Sequence, residues 1–360
     1  MDRCDIIMPV WNQLEVTKEC VDSIMKTTAY PYRLIIIDNR SDAETKKYLE
    51  GLKENKNLNL LLIRNNQNLG FVKAVNQGIR VSEAPYLCIM NNDTITTNRW
   101  LGEMVSVMEA NPGLGLVNPS SNTSGQFPGN LSVDEYGLQL KCFKGDIQEL
   151  YTCRGFCMVV RRKVIDDVGI LDEAYNIGYF DDTDYCKRAQ AHGYRTARAK
   201  GAYVYHKENT SFKKMKDNSR LFADNEKMFF KKWGRHVRVG YFLDELSRNK
   251  IDDIAIGVAR GGHQILIFMK KDMAWPVSLD HFDIRRIDMN PLFFVPLSIY
   301  QILKRKRKKK LDFLLTDNKA FGFCLNAIKI LHESKVFVNP DKRVLLEAMK
   351  KEAFRSVSDS

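Results

Sequence analysis

The fold is decided by the stretch CDIIMPV at residues 4–10 and by three later runs of the same kind: RLIIIDN (33–39), LNLLLIRN (58–65) and PYLCIMNN (85–92). Each run is almost continuously apolar, which is typical of parallel strands that are covered on both faces. Amphipathic stretches follow them and predict helices over 14–27, 42–53, 71–81 and 100–110, before a further short strand over 113–118. Because strands and helices alternate with short links, the sequence predicts an α/β fold with a doubly wound, mostly parallel sheet.

A second, smaller alternation begins after residue 249. Its predicted strands are IDDIAIGVA (251–259), FDIRRIDM (282–289), LDFLLTD (311–317) and KVFVN (335–339), and a last helix is predicted near 341–354. We therefore expect a main domain over 1–240 and a small Rossmann-like α/β accessory domain over 250–360. Within the main domain, residues 119–150 are rich in Ser, Asn, Gly and Pro. We expect this segment to be irregular or mobile and to lie over a cleft.

The composition is that of a globular protein with anionic partners. The 360 residues are 44% hydrophobic and 28% charged, and the formal net charge of +12 favours a nucleotide diphosphate, an acidic membrane face or nucleic acid as partner. No apolar run reaches the roughly 18 residues of a membrane span, and the start MDRCDIIMPVWN lacks the apolar region of a secretory signal. The eight cysteines show no paired C-x-x-C spacing. We therefore expect a cytoplasmic protein with mostly reduced, buried thiols.

Seven consecutive Lys or Arg residues occupy positions 304–310. The simplest interpretation is a solvated basic helix end, which the pattern favours over a nucleic-acid site. The run directly follows the apolar stretch PLFFVPLSIYQIL at 291–303. A third interpretation is therefore peripheral contact with anionic lipid, which would place the chain at the inner face of the membrane.

Candidate binding residues lie at or just after the ends of the first three predicted strands. Pro9, Val10, Trp11 and Asn12 end the first, Asp38 and Asn39 end the second, and Asn68, Gly70 and Lys73 come after the third. In open α/β sheets ligands bind beyond the carboxyl ends of the strands. Carboxylate and amide groups there can hydrogen-bond a base or ribose, and a helix N-terminus can face a phosphate. Each group taken singly is also consistent with ordinary turn and helix-cap chemistry.

The fourth strand runs into Asn91, Asn92 and Asp93. A carboxylate at a strand end, with open positions around it, suits Mg²⁺ or Mn²⁺ that also takes diphosphate oxygens. The alternative is that Asp93 caps the helical stretch that follows. The residues favour a metal site at this strand end.

Two adjacent carboxylates, Asp181 and Asp182, follow the aromatic residues Tyr179 and Phe180. Repulsion between like charges and partial burial would raise one pKa of the pair, which suits a general base. Acidic residues are also favourable at a helix start because of the helix dipole, which is the structural alternative. The pair is therefore a candidate for proton transfer.

Three further titratable positions follow this pair in the sequence. Asp184 and Arg188 stand four residues apart and are expected to form a structural ion pair on a helix. His206 ends a later predicted strand. Taken by itself, a lone histidine is more typical of a packed or exposed residue than of a ligand.

The ordered set of motifs resembles the inverting family 2 glycosyltransferases of the GT-A fold, in particular their bacterial rhamnosyltransferase-like branch. The shared stretches are IIMPVWN, LIIIDNRSD, NNQNLGFVKAVNQGI, IMNNDTI, RGFCMVVRRKVIDDVGILDE, YFDDTDYCKRAQAHGYR and AYVYHKENTS. They occur in order over about residues 3–212, and their succession is specific although no single piece is decisive. The resemblance does not extend beyond residue 249.

The resemblance implies roles for individual residues. Donor-binding residues would be Pro9, Val10, Trp11, Asn12, Asp38, Asn39, Asn68, Gly70, Lys73, Asn91 and Asn92. Acceptor-side residues would be Arg154, Gly155 and Phe156, next to the segment 119–150. Asp93 would bind Mn²⁺ or Mg²⁺ as the sole carboxylate of a D-x-D-like triplet, and His206 would complete the metal site. Asp182 would be the catalytic base, with Asp181 as the second choice.

The implied activity is inverting transfer of a sugar from a UDP- or dTDP-linked donor to an acceptor hydroxyl. The acceptor would be a carbohydrate or a lipid-linked group in cell-surface polysaccharide or glycoconjugate synthesis. A sugar-nucleotide nucleotidyltransferase is one alternative, but it normally carries a Gly- and Arg-rich phosphate loop where this chain has Pro9-Val10-Trp11-Asn12. A non-catalytic binding module is the other, and it would not need Asp182 and His206 together.

Overall fold

The computed structural model describes residues 3–176, 178–208, 218–243, 248–304 and 309–355. The chain divides into two compact units. The first comprises residues 1–148 and 152–227, and the second comprises residues 149–151 and 228–360. The second unit thus begins earlier than residue 250, because a strand at 238–243 belongs to its sheet.

Among the described residues up to 233 there are nine strands and eight helices, and the alternation that the sequence predicts holds over residues 4–90. The strands are β1 (Cys4–Val10), β2 (Tyr32–Asp38), β3 (Leu60–Arg64), β4 (Tyr86–Met90), β5 (Thr94–Thr96), β6 (Leu114–Ser120), β7 (Ile147–Leu150), β8 (Cys157–Arg161) and β9 (Arg195–His206). The helices are α1 (Leu14–Thr27), α2 (Ala43–Gly51), α3 (Phe71–Val81), α4 (Trp100–Ala110), α5 (Val133–Gln139), α6 (Arg162–Val168), α7 (Asp181–Ala191) and α8 (Asn218–Trp233). The predicted bounds of α1, α3 and α4 are confirmed to the residue.

The larger sheet is mixed, with a parallel half that carries the predicted strand ends. Its strand order is β3-β2-β1-β4-β8-β6-β9-β5. Strands β3, β2, β1 and β4 are parallel, whereas β8 runs antiparallel to β4 and β6, and β5 runs antiparallel to β9. The register places Val10 beside Asp38 and Asp38 beside Arg64. The residues after β1, β2 and β3 therefore share one edge of the sheet.

Helices cover both faces of the parallel half. Ile6 and Met8 of β1 belong to a core cluster with side chains of α1, α2 and α4. On the other face Ile7 meets α3, where a Cβ added to Gly78 would lie 2.4 Å from Ile7 Cγ2. Only glycine allows this close approach of helix and strand. The prediction of a doubly wound sheet is confirmed, and its apolar runs are the buried core.

The segment 119–150 is more regular than its composition indicates. It contains the helix α5 and the strand β7, with short 3-10 turns over Asn122–Ser124 and Leu140–Phe143. Ser132 and Glu135 form a capping box that begins α5. Because S-x-x-E before a helix is a recognisable start signal, the sequence contained this helix although we did not predict it. The expectation of an irregular segment was therefore wrong for α5 and β7.

The second unit is a small Rossmann-like α/β layer structure, as predicted. Its strands are β10 (Arg238–Leu243), β11 (Gln264–Lys270), β12 (Ile284–Met289), β13 (Phe313–Thr316) and β14 (Lys335–Val338). Its helices are α9 (Arg248–Arg260), α10 (Phe294–Leu303), α11 (Lys319–Ala327), α12 (Lys329–His332) and α13 (Lys342–Arg355). The sheet has the order β12-β11-β10-β13-β14, and its neighbouring strands are parallel.

One predicted strand of this unit is a helix. The stretch IDDIAIGVA at 251–259 forms the body of α9, so its assignment as a strand was wrong. Its buried residues are Ile251, Ile254, Ala255, Val258 and Ala259, which is helical spacing. The sheet instead takes its first two strands from β10 and β11, which we did not predict.

Some sequence features fall partly outside the described residues. Positions 305–308 of the basic run and positions 209–212 of the last motif are among the residues left undescribed. None of the helices in the described part of the chain combines the length and apolar character needed to cross a bilayer. All eight cysteines carry free thiols, and six of them are buried.

Candidate active site

The end of β9 brings an imidazole to Asp93. Thr94 of β5 pairs with His206 of β9, so the residue before Thr94 lies beside the histidine. Asp93 Oδ1 and His206 Nε2 are 3.0 Å apart, and Asn91 Nδ2 lies 3.3 Å from the same nitrogen. Phe156 stacks on the imidazole with ring centroids 5.1 Å apart and an interplanar angle of 13°. Three distant parts of the chain therefore meet at this point.

Asn122 fixes the backbone of His206. Its Nδ2 donates to His206 O at 2.8 Å, and its Oδ1 accepts from His206 N at 2.8 Å. The imidazole is thus positioned by its backbone, by the stacked Phe156 ring and by Asp93. Such support keeps a ligand side chain in one orientation.

Asp93 and His206 suit a divalent cation that is shared with a ligand. A carboxylate oxygen and an imidazole nitrogen are ligand types that Mn²⁺ accepts, and Mg²⁺ binds through one or two carboxylates together with substrate phosphates. His206 also lines a cleft, where a ligand could supply further oxygen atoms. Among the described residues no group of three or more His, Cys, Asp or Glu side chains could hold a metal. A carboxylate and an imidazole beside a cleft fit a cation whose coordination a substrate completes.

Helix α7 begins with the acidic pair and presents Asp182 to the cleft. Asp182 Oδ2 accepts a hydrogen bond from Gly155 N at 2.9 Å, and Oδ1 accepts from Thr183 N at 2.6 Å. Thr183 Oγ1 also donates to Oδ1 at 3.1 Å. These contacts hold a half-buried carboxylate in one orientation at the edge of open space. That is the arrangement a general base requires.

The neighbouring carboxyl group, Asp181, is buried, and its pKa is raised. Burial, followed by repulsion from Asp182, raises the pKa of Asp181 to about 8, and Asp184 adds a smaller repulsion. The sequence predicted one raised pKa in this pair, and the raised pKa belongs to Asp181, our second choice for the base. Near neutral pH Asp181 is therefore mostly protonated and places little charge beside its neighbour. Asp184 pairs with Arg188 at 2.8 Å, as predicted.

We expect Asp181→Asn to remove part of the pH dependence of folding stability. The pKa of Asp181 is about 8 in the folded protein, against about 3.9 for an unfolded aspartate, so the folded state holds an extra proton between these values. The stability from this proton is complete below about pH 4 and is lost as the pH rises through about 8. Thermal unfolding between about pH 6 and 9 should therefore show a steeper decline for the parent, by up to about 1.4 kcal/mol per pH unit. Parallel declines for parent and variant would contradict the buried titration.

The turn before α7 holds two aromatic residues in left-handed backbone conformations. Tyr179 has φ 68° and Phe180 has φ 66°, which is costly for bulky side chains. Asn225 of α8 stabilises this turn from a buried position. Its Nδ2 donates to the carbonyl oxygens of Tyr175, Gly178 and Tyr179 at 3.1, 2.8 and 3.2 Å. The strained turn is thus clamped where it leads into the acidic pair.

Asn118 stabilises the loop that contacts Asp182. Its Nδ2 donates to Arg154 O at 2.9 Å and to Cys157 O at 2.6 Å, and its Oδ1 accepts from Arg154 N at 2.6 Å. These bonds fix the backbone on both sides of Gly155, whose N–H donates to Asp182. Asn118 is therefore a positioning residue for the carboxylate.

A cleft of about 600 Å³ joins the two groups of residues. The predicted residues that line it are Asn91, Arg154, Gly155, Phe156, Asp181, Asp182 and His206. Tyr179, Phe180 and Phe222 add an aromatic wall, with the Phe222 ring 5.4 and 5.3 Å from the other two. The hydroxyl oxygen of Thr123, another lining residue, is buried without a hydrogen-bond partner among the described residues. A bound ligand could satisfy it.

The donor-side residues form a hydrogen-bonded rim at the ends of β1 to β3. The buried Asp38 carboxylate pairs with Arg64, and Asn39 Nδ2 donates to Gly70 O at 3.1 Å. Gly70 is followed by Phe71, the first residue of α3, which lines the cleft. The rim and the cleft are therefore continuous at the N-terminus of α3.

The individual donor-side predictions fall in different environments. Trp11, Asn68 and Lys73 are exposed, Asn12, Gly70, Asn91 and Asn92 are half-buried, and Pro9, Val10, Asp38 and Asn39 are buried. Asn92 Nδ2 donates to Thr17 Oγ1 at 2.8 Å, and Asn12 Oδ1 accepts from Asp42 N at 2.7 Å. These two amides are thus engaged inside the protein. Asn68 Oδ1 likewise accepts from Gly70 N at 2.9 Å.

Five residues that shape the site were not singled out from the sequence. They are Arg64, Asn118, Asn122, Thr183 and Asn225. Arg64 ends its strand in register with Asp38, so parallel pairing of the two runs would have indicated the ion pair. Asn225 gave no local signal, because within an amphipathic helix it is one polar residue among several.

Residues 5–169, a little under half of the chain, match the family model described as Glycosyl transferase family 2. This segment is therefore similar to family 2 glycosyltransferases. The match and the sheet topology confirm the GT-A-like fold class expected from the sequence, but they do not resolve the rhamnosyltransferase-like branch. The matched segment ends before Asp181, Asp182 and His206, so the roles of these residues depend on the geometry described above.

Curated proteins of several organisms are similar to the chain. An uncharacterized protein, y4gI, of Sinorhizobium fredii is 28% identical over 227 residues, which cover 57% of this chain and 24% of y4gI. Glycosyltransferase AglE of Haloferax volcanii is 24% identical over 264 residues, which cover 71% of this chain and 80% of AglE. Poly-beta-1,6-N-acetyl-D-glucosamine synthase of Staphylococcus aureus is 23% identical over 177 residues, which cover 48% of this chain and 42% of the synthase. The chain thus spans about a quarter of y4gI and less than half of the synthase.

Two solved structures are also similar. Staphylococcus aureus TarS 1–349 in complex with UDP-GlcNAc gives a TM-score of 0.49 at 14% identity, over 65% of this chain and 66% of TarS. A mannosyltransferase from Pyrobaculum calidifontis in complex with GDP-Man and Mn²⁺ gives a TM-score of 0.47 at 18% identity, over 58% of each chain. Because both TM-scores are low, the residue roles proposed below rest on this chain's own geometry.

Proposed function

We propose that the chain is a metal-dependent, inverting glycosyltransferase that moves a sugar from a nucleotide diphosphate sugar to an acceptor hydroxyl. The observation that carries this proposal is that Asp182 and His206, the hydrogen-bond partner of Asp93, line one cleft. A positioned base, a cation site and a donor rim are the parts that such a displacement uses. The family 2 match supports sugar transfer, and the similarity to poly-beta-1,6-N-acetyl-D-glucosamine synthase supports a place in polysaccharide or glycoconjugate synthesis.

The rim at the ends of β1 to β3 is the proposed donor site. Asn39 and Gly70 connect the rim to the cleft, where a base and ribose would lie along the strand ends. Asp38 is engaged with Arg64, so we assign it the role of ordering the rim. Lys73, exposed in the first turn of α3, is placed to attract a diphosphate. We expect a UDP- or dTDP-linked sugar.

Asp93 and His206 would hold Mn²⁺ or Mg²⁺, which when bound would supply Lewis-acid stabilisation of the leaving diphosphate. The chain's own residues orient the two proposed metal ligands. Phe156 and Asn122 hold the imidazole, and the β5–β9 pairing keeps Asp93 beside it.

Asp182 is the proposed general base. It would take the proton of an acceptor hydroxyl while that oxygen forms a bond to the anomeric carbon and the bond to the nucleoside diphosphate breaks. Attack from the face opposite the leaving group inverts the anomeric centre, as in inverting glycoside hydrolysis. Gly155 N and Thr183 N orient the carboxylate for this transfer.

The aromatic wall of Tyr179, Phe180 and Phe222 is the proposed acceptor side, together with Arg154. Apolar ring faces with a few polar groups suit a sugar, whose C–H faces pack on aromatic rings. A carbohydrate or lipid-linked acceptor fits this lining. The backbone strain at Tyr179 and Phe180 indicates that the conformation of this wall serves function.

A donor-hydrolysis panel tests the proposal. UDP- and dTDP-sugars are incubated with the chain and Mn²⁺ or Mg²⁺, and released nucleoside diphosphate is measured. We expect release from at least one donor, dependent on the cation and suppressed by a chelator. A nucleotidyltransferase would instead release pyrophosphate from a nucleoside triphosphate and a sugar phosphate, and a binding module would bind donor without turnover. Either of these outcomes would contradict the transferase.

A further inference from the structure

The aromatic wall of the cleft is held in a backbone conformation that its own residues disfavour. Tyr179 and Phe180 are both left-handed, with φ of 68° and 66°. Among the residues that the structure describes, they are the only aromatic residues with a positive φ. Bulky side chains adopt this region at an energetic cost, because Cβ comes too close to the following carbonyl oxygen. Such a conformation persists only where the surrounding structure imposes it.

Helix α8 imposes it through two side chains. Asn225 and Phe222 are three residues apart, so they are neighbours on the helix surface. The Asn225 amide holds the backbone of the turn through its hydrogen bonds to three carbonyl oxygens. The Phe222 ring lies 5.4 Å from the Tyr179 ring and 5.3 Å from the Phe180 ring. One helix therefore contacts both the backbone and the rings of the wall.

The side-chain amide of Asn225 is difficult to replace in this place. The three carbonyl oxygens lie 2.8 to 3.2 Å from a single nitrogen, Nδ2, which carries two hydrogen atoms. Asn225 is 5% exposed, and Tyr175 and Gly178 are buried as well. Because these groups have little access to water, loss of the amide would leave carbonyl oxygens poorly satisfied. The turn should then relax toward ordinary backbone angles.

The carboxylate of Asp182 is held by contacts that do not involve this turn. Its oxygens accept hydrogen bonds from Gly155 N at 2.9 Å and from Thr183 N at 2.6 Å. Further along α7, Arg188 Nε donates to the buried Asp184 at 2.8 Å. A relaxed turn should therefore displace the aromatic rings more than the carboxylate.

We propose that Asn225 is a positioning residue for the acceptor, because it keeps the aromatic wall in the one shape on which a sugar ring of the acceptor stacks. Apolar ring faces pack on the C–H face of a sugar, and such packing depends on the placement of the rings. Phe222 is 42% exposed and lines the cleft, so a ligand can reach the wall. The inference rests on the transferase function proposed above, in which Asp182 of the same cleft takes the proton of the stacked acceptor.

Two other interpretations of the wall give different results. If Asn225 only stabilises the fold, its loss should lower thermal stability and leave the affinities of the folded protein unchanged. If the wall stacks the base of the donor, the loss of Asn225 or of the Phe222 ring should weaken nucleotide binding. Acceptor positioning instead predicts weaker saccharide binding with unchanged nucleotide binding.

Saturation-transfer difference NMR of the full chain tests the proposal. The probes are the methyl glycosides of glucose, galactose, rhamnose and N-acetylglucosamine at millimolar concentration. We expect the parent to saturate the C–H protons on one face of at least one probe. Asn225→Ala and Phe222→Ala should each weaken binding of that probe by about 3- to 10-fold. Calorimetric binding of UDP and dTDP in the presence of Mn²⁺ should be the same in the parent and in both variants.

Asn76→Ala is the matched control. Asn76 is a buried asparagine of α3 that also makes three hydrogen bonds to a loop. Its Nδ2 donates to Leu171 O and to Glu173 Oε1, and its Oδ1 accepts from Leu171 N. It does not line the cleft described above. Its loss should therefore lower thermal stability, as the loss of Asn225 does, and leave saccharide binding unchanged.

Three results would overturn the proposal: no saccharide binding by the parent, an equal loss of saccharide binding in Asn76→Ala, or weaker nucleotide binding in Asn225→Ala. Phe222→Ala removes an exposed ring, so it tests the wall even if Asn225→Ala does not fold. Donor hydrolysis by the parent is measured separately. A parent that hydrolyses donor without binding a saccharide refutes only the stacking wall, and one that binds a saccharide without hydrolysing donor refutes only the transferase.

Discussion

Asp182→Asn is expected to lower kcat by about 10² to 10⁴-fold while donor affinity stays within about twofold of the parent. The amide cannot take a proton from an acceptor hydroxyl. It can still accept a hydrogen bond from Gly155 N or Thr183 N, so the local fold should persist. Steady-state transfer rates and calorimetric donor binding would measure the two effects separately.

Asp181→Asn is the matched control, because it makes the same chemical change one residue away. Asp181 is buried and mostly protonated near neutral pH, with a pKa of about 8. A neutral amide should therefore replace it with much smaller loss of turnover. If Asp181→Asn loses activity and Asp182→Asn keeps it, the two roles are reversed. Full turnover by both variants would remove the acidic pair from the mechanism.

Asp93→Ala is expected to abolish the cation-dependent part of donor binding. Loss of groups that merely orient a metal ligand costs about 10- to 100-fold in metal affinity, so loss of a direct ligand should cost at least about 100-fold. Calorimetry of nucleoside diphosphate binding with and without Mn²⁺ would show this, independently of turnover. After removal of the carboxylate, Asn91 still lies beside the imidazole and Asn122 still holds the His206 backbone, so the variant should remain folded.

Glu208→Ala is the control for this prediction. Glu208 is an exposed carboxylate that lines the same cleft. It has no assigned role at the metal pair, so its removal should leave the effect of Mn²⁺ unchanged. An equal loss in both variants would mean that general negative charge in the cleft, not the Asp93–His206 pair, attracts the cation.

The sequence predicted the first unit well because its signals are local. The bounds of α1 and α3 followed from amphipathic spacing, and the strands followed from continuous apolar runs that need cover on both faces. The prediction from the sequence was wrong where the signals for a strand and for a helix overlapped. The stretch 251–259 has β-branched residues typical of a strand, yet its apolar residues recur at helical spacing, and burial against the second sheet favoured the helix.

The sequence indicated candidate positions for the site and little of its geometry. The strand-end positions identified Asp38, Asn39 and Asp93, since parallel strands deliver their ends to one edge. Both carboxylates of the acidic pair line the cleft, and the sequence did not show which of them is half-buried and held by a backbone N–H group there. That depended on Gly155, which lies on a different element and donates to Asp182 only.

The sequence by itself determined the alternation of buried strands and amphipathic helices and the polar residues at the strand ends. These follow from side-chain periodicity and turn chemistry within a few residues of each position. The tertiary structure alone decided that Asn122 fixes the backbone of His206 beside Asp93 and that Asn225 clamps the turn before α7. Both contacts depend on pairing and packing between elements far apart in the chain, which no local pattern encodes.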